Sequence, residues 1–400
     1  MKNSYHSHHI LIFSTAYFPL VGGAEIAFKE ITDRIKNYQF DLITARFSKR
    51  NAKKEKIGNI TVHRVGLGTK FDKYLLPILG LFKAKRLFKK NKHFLIWSIS
   101  ASQAGLAALF LKLKNPKIPF LLTIQEGSSE KRIFWRRFMV WPLFKMIFKK
   151  ADYIQAISNF LANFAKKIGA QCPIEVVPNG VDVRKFQIPN SKFQIDKLKK
   201  ELDIKENEKV IITVSRLVPK NAIGDLIESL RYLDLRINPA PFEDKRCRVK
   251  LLILGTGFEE KKLKNLAKKL NLEDKILFLG LIPPVEVPKY LAISDVFIRP
   301  SISEGLGNVF LEAMAARVPI IGTPVGGIPD FLENEKTGLF CQPRNPKSIA
   351  EAIKFILEDE ELCSRLVENG KRLVEEKYSW GIIAEKMNNL FKKLFAPSEI

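Results

Sequence analysis

The chain lacks any apolar run near the ~20 residues needed to cross a bilayer. The longest candidates, around Tyr74 to Phe82 and Ile118 to Ile124, suit buried elements instead. It also lacks an ordinary secretory signal. Met1 to His9 is polar, and the apolar core that follows, Ile10-Leu11-Ile12-Phe13, is too short, so a cytoplasmic protein is expected. Cysteine is scarce. Cys172, Cys247, Cys341 and Cys363 lie far apart without metal-like spacing and read as reduced thiols. Histidine is nearly as rare, yet His6, His8 and His9 cluster near the start. They read as a frayed polar terminus, with metal binding as the alternative. There is no low-complexity tract, zinc-finger spacing, RNP-type aromatic motif or basic zipper.

Positive charge is in excess. Sixty-seven Lys and Arg against 42 Asp and Glu give a formal net charge of +25. That balance favours polyanions: anionic lipid, nucleic acid or polyphosphorylated substrates, with a lysine-rich solubilising surface as the plainer reading. A hydrophobic fraction of 46% and a charged fraction of 27% fit a soluble globular protein. Four hundred residues suffice for two or three domains with ample core.

Apolar β-type runs alternate with helical patterns from the start. Strand candidates are His9 to Thr15, Phe40 to Thr44, Thr61 to Val65, Phe94 to Ile99, Phe120 to Ile124, Tyr153 to Ile157 and Glu175 to Val177. Helical segments such as Ala24 to Ile35, Ser102 to Lys114 and Asn159 to Ile168 separate several of them. The alternation predicts a parallel sheet with helices on both faces. Phe186 to Asp203 is polar, lysine-rich and strandless, and the domain boundary is placed there. A second alternation follows: Val210 to Val214, Val249 to Leu254, Ile276 to Leu279, Val296 to Ile298, Pro319 to Ile321 and Gly338 to Cys341. The expected domains are residues 1–190, 191–377 and a final helical segment, 378–400, whose apolar stripe should dock. Two doubly wound domains imply a ligand cleft between them.

The second alternation contains the richest stretch. The strand candidate Val296-Phe297-Ile298 leads into Ser301-Ile302-Ser303-Glu304-Gly305-Leu306-Gly307-Asn308, and a helical run begins at Phe310. A glycine-containing turn opening a helix offers backbone N–H groups and a positive dipole end, a seat for phosphate. Glu304 and Glu312 flank that seat. Carboxylates repel phosphate, so they should serve something attached to it, most simply sugar hydroxyls.

Other loops sit at matching places. Gly22-Gly23 follows the first strand, where glycines let backbone approach a ligand. Arg216 and Lys220 follow Val210 to Val214 and suit a diphosphate, by fork and by point charge. Gly255-Thr256-Gly257 is another strand-to-helix turn, Pro178-Asn179-Gly180-Val181-Asp182 ends the first domain, and Gly326-Gly327-Ile328-Pro329-Asp330 follows the next strand. Singly, each reads as well as an ordinary turn.

Taken in order, the chain resembles the retaining GT-B glycosyltransferases of family 4 over nearly its whole length. The residues that carry the resemblance are Gly22-Gly23-Ala24-Glu25, Pro178 to Asp182, Ser215-Arg216-Leu217, Gly255 to Gly257, Glu304 to Ala313 and Gly326 to Asp330. The resemblance implies an α/β GT-B fold of two Rossmann-like domains facing a central cleft, with the C-terminal helix crossing back to the first. It implies transfer of a sugar, with retention, from a UDP- or GDP-linked donor to a glycan or lipid-linked hydroxyl acceptor in cell-envelope assembly. Glu304 would hold donor-sugar hydroxyls and Glu312 the ribose. Arg216 and a lysine would neutralise the departing diphosphate. Gly22, Gly23, Asn179, Gly255, Gly257, Gly305, Leu306, Gly307 and Asn308 would line the donor site. No cofactor or metal is implied, and the sequence has no Asp-x-Asp pair for Mg²⁺ or Mn²⁺. Two positions depart from the pattern. The usual lysine position holds Asn221, so the role is assigned to Lys220. A usual histidine is missing from Thr123-Ile124-Gln125-Glu126-Gly127, so Gln125 or Glu126 stands in by hydrogen bonding.

Glu130 to Lys150 carries one acid and seven bases among interleaved aromatics, and Leu79 to Lys90 is similar. Such helices could meet an anionic membrane surface, or equally pack an apolar face on the sheet. A peripheral contact at the inner face of the cytoplasmic membrane is the expectation. The rival functions are a nucleotide-sugar epimerase or phosphorylase on the same fold, and a basic nucleic-acid-binding protein. The last leaves Glu304 and Glu312 unexplained, and no nucleic-acid partner is expected.

Overall fold

A computed structural model of the chain describes residues 8–91, 93–127, 140–186, 192–233 and 248–395. It comprises two compact units: Met1–Asn179 with Trp380–Ile400, and Gly180–Ser379. The boundary therefore falls earlier than residue 190. The polar segment that suggested a linker is largely helical, over Val183–Phe186 and Lys192–Glu201. The true crossing is marked by backbone pairing within the second unit, where the Val181 amide donates to the Tyr378 carbonyl at 2.8 Å.

The first unit is built on an eight-stranded sheet. Its strands are β1 (His8–Phe13), β2 (Tyr38–Ala45), β3 (Lys54–Ile57), β4 (Ile60–Val65), β5 (His93–Ile99), β6 (Phe120–Ile124), β7 (Tyr153–Ala156) and β8 (Ile174–Val176). They lie in the order β3-β4-β2-β1-β5-β6-β7-β8. Every pairing is parallel except β3 with β4. Ile10, Leu11, Ile12 and Phe13 are wholly buried, as expected of a parallel strand covered on both faces. The edge strand β3, Lys54-Glu55-Lys56-Ile57, has no apolar pattern to announce it. Charged side chains suit an edge that must not recruit another strand. His8 and His9 are not a frayed terminus. They open β1, and His9 pairs with Gln39 and His93 across the sheet.

Around this sheet lie α1 (Gly23–Arg34), α2 (Asp72–Lys90), α3 (Gln103–Lys114), α4 (Trp141–Lys150) and α5 (Asn159–Ile168). The Tyr74 to Phe82 run was expected to be buried. It lies in α2, which buries Leu76, Pro77, Gly80, Ala84 and Leu87 but leaves Tyr74 59%, Ile78 58% and Phe82 57% exposed. A helical period of 3.6 turns a continuous apolar run to all sides, and the sheet covers only one. In α4, Phe144, Ile147 and Phe148 pack inward. Most of the basic aromatic stretch before it, residues 128–139, lies outside the described residues.

The second unit carries six parallel strands: β9 (Glu208–Val214), β10 (Arg248–Leu254), β11 (Ile276–Gly280), β12 (Val296–Arg299), β13 (Ile320–Gly322) and β14 (Leu339–Phe340). Their order is β11-β10-β9-β12-β13-β14. The helices of this unit are α6 (Val183–Phe186), α7 (Lys192–Glu201), α8 (Ile223–Ser229), α9 (Glu260–Lys269), α10 (Val287–Ala292), α11 (Asn308–Ala315), α12 (Pro346–Glu358) and α13 (Glu360–Lys377). Ile211, Ile253, Val296 and Ile298 of the strands pack with Ile227, Leu263 and Ile353 of the helices in one core.

The last helix, α14 (Trp380–Phe395), belongs to the first unit. Trp380, Ile383, Met387, Leu390 and Phe391 join the core formed by α1 and strands β1, β2 and β5. Phe391 is fully buried, with its ring edge-on to Trp97 at 5.2 Å and to Tyr38 at 5.7 Å. Phe391→Ala should destabilise the first unit by about 3–5 kcal/mol through lost burial and a cavity, read as a lowered urea midpoint with near-UV circular dichroism of Trp97 as the probe.

Candidate functional site

In a parallel sheet the loops that can bind a ligand gather at the carboxyl ends of the strands. In the second unit four such loops do so. The turn after β12 makes the centre. The strand ends on Arg299, and the chain then runs through Ser301 and Glu304 to Gly307, which starts α11. Gly307 adopts φ +96°, a left-handed conformation natural to glycine. It brings no side chain to cap the helix.

Glu304 is 9% exposed and Arg299 8%. The Arg299 Nη2 donates to the Glu304 Oε2 in a short buried ion pair. The Gly305 amide donates to the other carboxylate oxygen at 3.0 Å. Burial alone would push the Glu304 carboxyl upward. The charges of Arg299 and Lys220 and the Gly305 amide outweigh it and hold the value below the usual carboxylate range. Glu304 is therefore ionised and fixed in place near neutral pH.

The loop after β9 braces this pair. Asn221, 1% exposed, donates from Nδ2 to the Arg216 carbonyl at 2.7 Å and accepts from Arg299 Nη2 at 3.3 Å. The Lys220 carbonyl accepts the Ile302 amide at 2.8 Å. Asn221 thus fills the position of the expected lysine but acts differently, joining the Arg216 loop to the Arg299–Glu304 pair. Lys220 supplies positive potential to Glu304, while the Arg216 side chain is exposed.

Backbone closeness completes the site. Gly326 has φ +60°, and a Cβ there would lie 1.9 Å from the Glu304 carbonyl oxygen. Only glycine lets the loop after β13 lie against the Glu304 turn, where the Gly327 amide donates to that same carbonyl at 3.2 Å. Gly255, at φ +126°, meets the Ser215 carbonyl in the same way, so the β10 and β9 loops touch. Two deeply buried polar atoms, Arg299 Nε and Ser301 Oγ, have no hydrogen-bond partner among the described residues. Such atoms are usually satisfied by water or ligand.

Glu312 lies on α11. Part of its surface meets solvent, yet the carboxyl sits deep enough that burial pushes it up to about 7, with Arg299 the opposing influence. The two acids of one motif are thus tuned apart, Glu304 down and Glu312 up. Gly305, Leu306 and Gly307 are buried in the turn and Asn308 is half-buried at its end, while Gly255 and Gly257 are half-buried on the neighbouring loop.

The remaining expected site residues belong to the first unit. Gly22 and Gly23 are exposed where the β1 loop enters α1, and the Gly22 amide donates to the Glu25 carboxylate at 2.8 Å. Gln125 and Glu126 follow β6 and line a small pocket with Ser100, Ala101, Phe144 and Phe148. Asn179, 3% exposed, donates to Gln125 Oε1 at 3.4 Å. Sequence reasoning missed Arg299 altogether. Its one signal was a charged residue closing an otherwise apolar strand, Val296-Phe297-Ile298-Arg299.

The chain matches two family models: Glycosyl transferases group 1 over residues 194–373, and Glycosyltransferase Family 4 over residues 21–185. It is 30% identical over 333 residues to the capsular polysaccharide biosynthesis glycosyltransferase CapM of Staphylococcus aureus, covering 80% of this chain and 82% of CapM. It is 29% identical over 249 residues to a GDP-mannose-dependent alpha-(1-6)-phosphatidylinositol monomannoside mannosyltransferase of Mycobacterium tuberculosis, covering 60% of this chain and 62% of that protein. With several other curated relatives the match spans little more than half of their length, 54% and 56% in two cases. Among solved structures, sucrose-phosphate synthase from Thermosynechococcus elongatus superposes with a TM-score of 0.80 at 20% identity, covering 97% of this chain and 99% of that one. Anabaena HepE in complex with UDP-glucose does so with a TM-score of 0.78 at 18% identity, covering 96% and 99%. The fold is GT-B.

The raised Glu312 carboxyl has a measurable consequence. Its folded value, about 7, exceeds the ordinary 4.5, so between those limits the folded chain binds more protons than the unfolded one. Stability contributed by this group is present below pH 4.5 and is lost as pH rises to 7. Glu312→Gln removes the penalty. Urea titrations should show the variant matching the parent below pH 4.5 and exceeding it by up to about 3 kcal/mol above pH 7.

Proposed function

The chain belongs to the group 1 glycosyltransferases of family 4, and from that premise we propose that it transfers a sugar from a nucleotide-sugar to a hydroxyl acceptor with retention and without a metal. The observation that carries this reading is the buried Arg299–Glu304 pair, with Glu312 on the following helix and Arg216 and Lys220 on the adjoining loop. A prefixed carboxylate beside cationic groups suits a ligand that joins hydroxyls to a diphosphate.

Glu304 accepts hydrogen bonds from donor-sugar hydroxyls, and Glu312 from the ribose. The bond from the anomeric carbon to the diphosphate breaks, and its electron pair leaves with the phosphate oxygen. The acceptor oxygen bonds to the same face of that carbon, and its proton passes to the departing phosphate. Arg216, Lys220 and the α11 N-terminus stabilise the charge that develops. UDP and GDP are the donor bases to try first, since Anabaena HepE was solved with UDP-glucose and the mycobacterial relative is GDP-mannose-dependent. Gln125, steadied by Asn179, and Glu126 stand in by hydrogen bonding for the expected histidine. The acceptor class is a cell-envelope glycan or glycolipid.

The lipid side of this reading is supported by α2 rather than by α4. Phe71, Tyr74, Leu75, Ile78 and Phe82 recur at helical spacing and are all exposed. The same face continues through the exposed Lys85, Arg86 and Lys89. Aromatic rings and bases in that arrangement fit the surface of an anionic bilayer.

Two measurements test the proposal. Glu304→Gln should lower the rate of sugar transfer by at least about a hundredfold, with the remaining product still carrying the donor's anomeric configuration by NMR. An inverted product would refute retention. Vesicle flotation should favour anionic over neutral lipid and weaken in Phe71→Ser/Phe82→Ser; equal flotation with neutral lipid would rule the membrane contact out.

A further inference from the structure

Beneath α2, near the amino ends of β1 and β5 and midway along β2 and β4, lies a polar cluster that the transfer reaction does not use. Asp41 of β2 sits among three imidazoles: His9 on β1, His63 on β4 and His93 on β5. Strand pairing explains why they meet. His9 is opposite His93, Leu11 is opposite Asp41, and Ile43 is opposite His63. With a side-chain period of two, all four project from one face of four adjacent strands. Asp41, His63 and His93 are buried at 6%, 3% and 5% exposure, and His9 is half-buried.

The hydrogen bonding leaves an acceptor facing each His93 ring nitrogen, which a second proton or a metal ion satisfies. His93 Nδ1 lies 3.2 Å from the Asn91 carbonyl and its Nε2 lies 2.9 Å from Asp41 Oδ2. Both partners are acceptors, whereas a neutral imidazole has one proton to donate. If Nδ1–H serves the carbonyl, the Nε2 lone pair faces the carboxylate. His9 Nδ1 is buried without a hydrogen-bond partner among the described residues, 3.5 Å from the same Asp41 oxygen. Meanwhile His63 Nε2 sits 2.8 Å from Asp41 Oδ1 and can donate to it.

We propose that His9 Nδ1, His93 Nε2 and Asp41 Oδ2 form a structural site for a borderline divalent metal ion such as Zn²⁺, with a fourth position open beside His9. The three donor atoms lie within 4.8 Å of one another. Tetrahedral coordination at metal–ligand lengths of ~2.0–2.2 Å needs donors about 3.4 Å apart, so only small side-chain movements are required. Two imidazoles and a carboxylate are a preferred set for zinc. The supporting shell is in place: the Asn91 carbonyl fixes the His93 tautomer, and His63 holds the free carboxylate oxygen. Lys83 of α2 lies close enough to feel the Asp41 charge. Lying away from the glycine loops at the strands' carboxyl ends, the ion ties β1, β2 and β5 together, with β4 joined through His63, and takes no part in sugar transfer.

The test uses the full-length protein, stripped with chelator and returned to Zn²⁺ or Co²⁺. Zn²⁺ should raise Tm by several degrees, since it binds the folded state. Co²⁺ should give the visible d–d absorption of a low-symmetry nitrogen–oxygen site. His93→Gln should weaken both effects at least about tenfold. His9→Gln should do the same and tests the site without disturbing the Asp41 hydrogen bonds to His63 and His93. No Tm shift at saturating Zn²⁺ would overturn the proposal and leave a purely hydrogen-bonded cluster. A shift undiminished in both variants would overturn it too, by placing the metal on other histidines such as His6 and His8.

Discussion

A carboxylate can be buried beside a strand end only if a cation is buried with it, and the second unit is arranged around that requirement. Isolating an ion from water costs several kcal/mol after relaxation. Glu304 meets the cost with Arg299, five residues earlier at the end of β12, and with the Gly305 amide. Arg299 is in turn held by Asn221, and Asn221 holds the Arg216 carbonyl. Gly326 lets another loop close over the Glu304 backbone. Three strand-end loops are therefore locked together before any donor arrives. Such prior fixing is what electrostatic catalysis needs, because dipoles and charges already in position do not have to reorganise during the reaction.

The same network explains the different tuning of the two acids. Glu304 has a dedicated arginine in contact and the field of Lys220. Glu312 shares Arg299 only at a distance and is dominated by burial. An ionised, rigid carboxylate suits firm recognition of sugar hydroxyls. A carboxyl near its midpoint at neutral pH makes the second contact sensitive to conditions, so nucleotide binding should strengthen as Glu312 ionises.

Much of the fold could be read from the sequence because parallel strands buried on both faces are continuous apolar runs. Ile10 to Phe13, Val249 to Leu254 and Val296 to Ile298 announce themselves, and the glycine turns follow from strand-to-helix spacing. What escaped notice was set by tertiary context. β3 is a charged edge strand with no hydrophobic signature. The Tyr74 to Phe82 run looked like core, but a helix on a sheet buries one face only. Polar residues 186–203 resembled a linker, yet Val183–Phe186 and Lys192–Glu201 are helices of the second unit. The histidines at the start resembled a loose tail, whereas His9 finds Asp41 and His93 through strand register. In the candidate site of the second unit, the acids, glycines, Arg216 and Lys220 were visible as a pattern. Arg299 was not, because its role appears only once the turn folds the chain back on the end of β12. Asn221 looked like a missing lysine and is instead a brace.

In the proposed function the Glu304 turn grips the sugar of a nucleotide-sugar while Glu312 grips its nucleoside. Calorimetric titration can separate the two by comparing a UDP- or GDP-sugar with the bare nucleoside diphosphate. Glu304→Gln should weaken binding of the donor but not of the diphosphate, and Glu312→Gln should weaken both. Equal loss for donor and diphosphate in Glu304→Gln, or no loss for either ligand in Glu312→Gln, would contradict it.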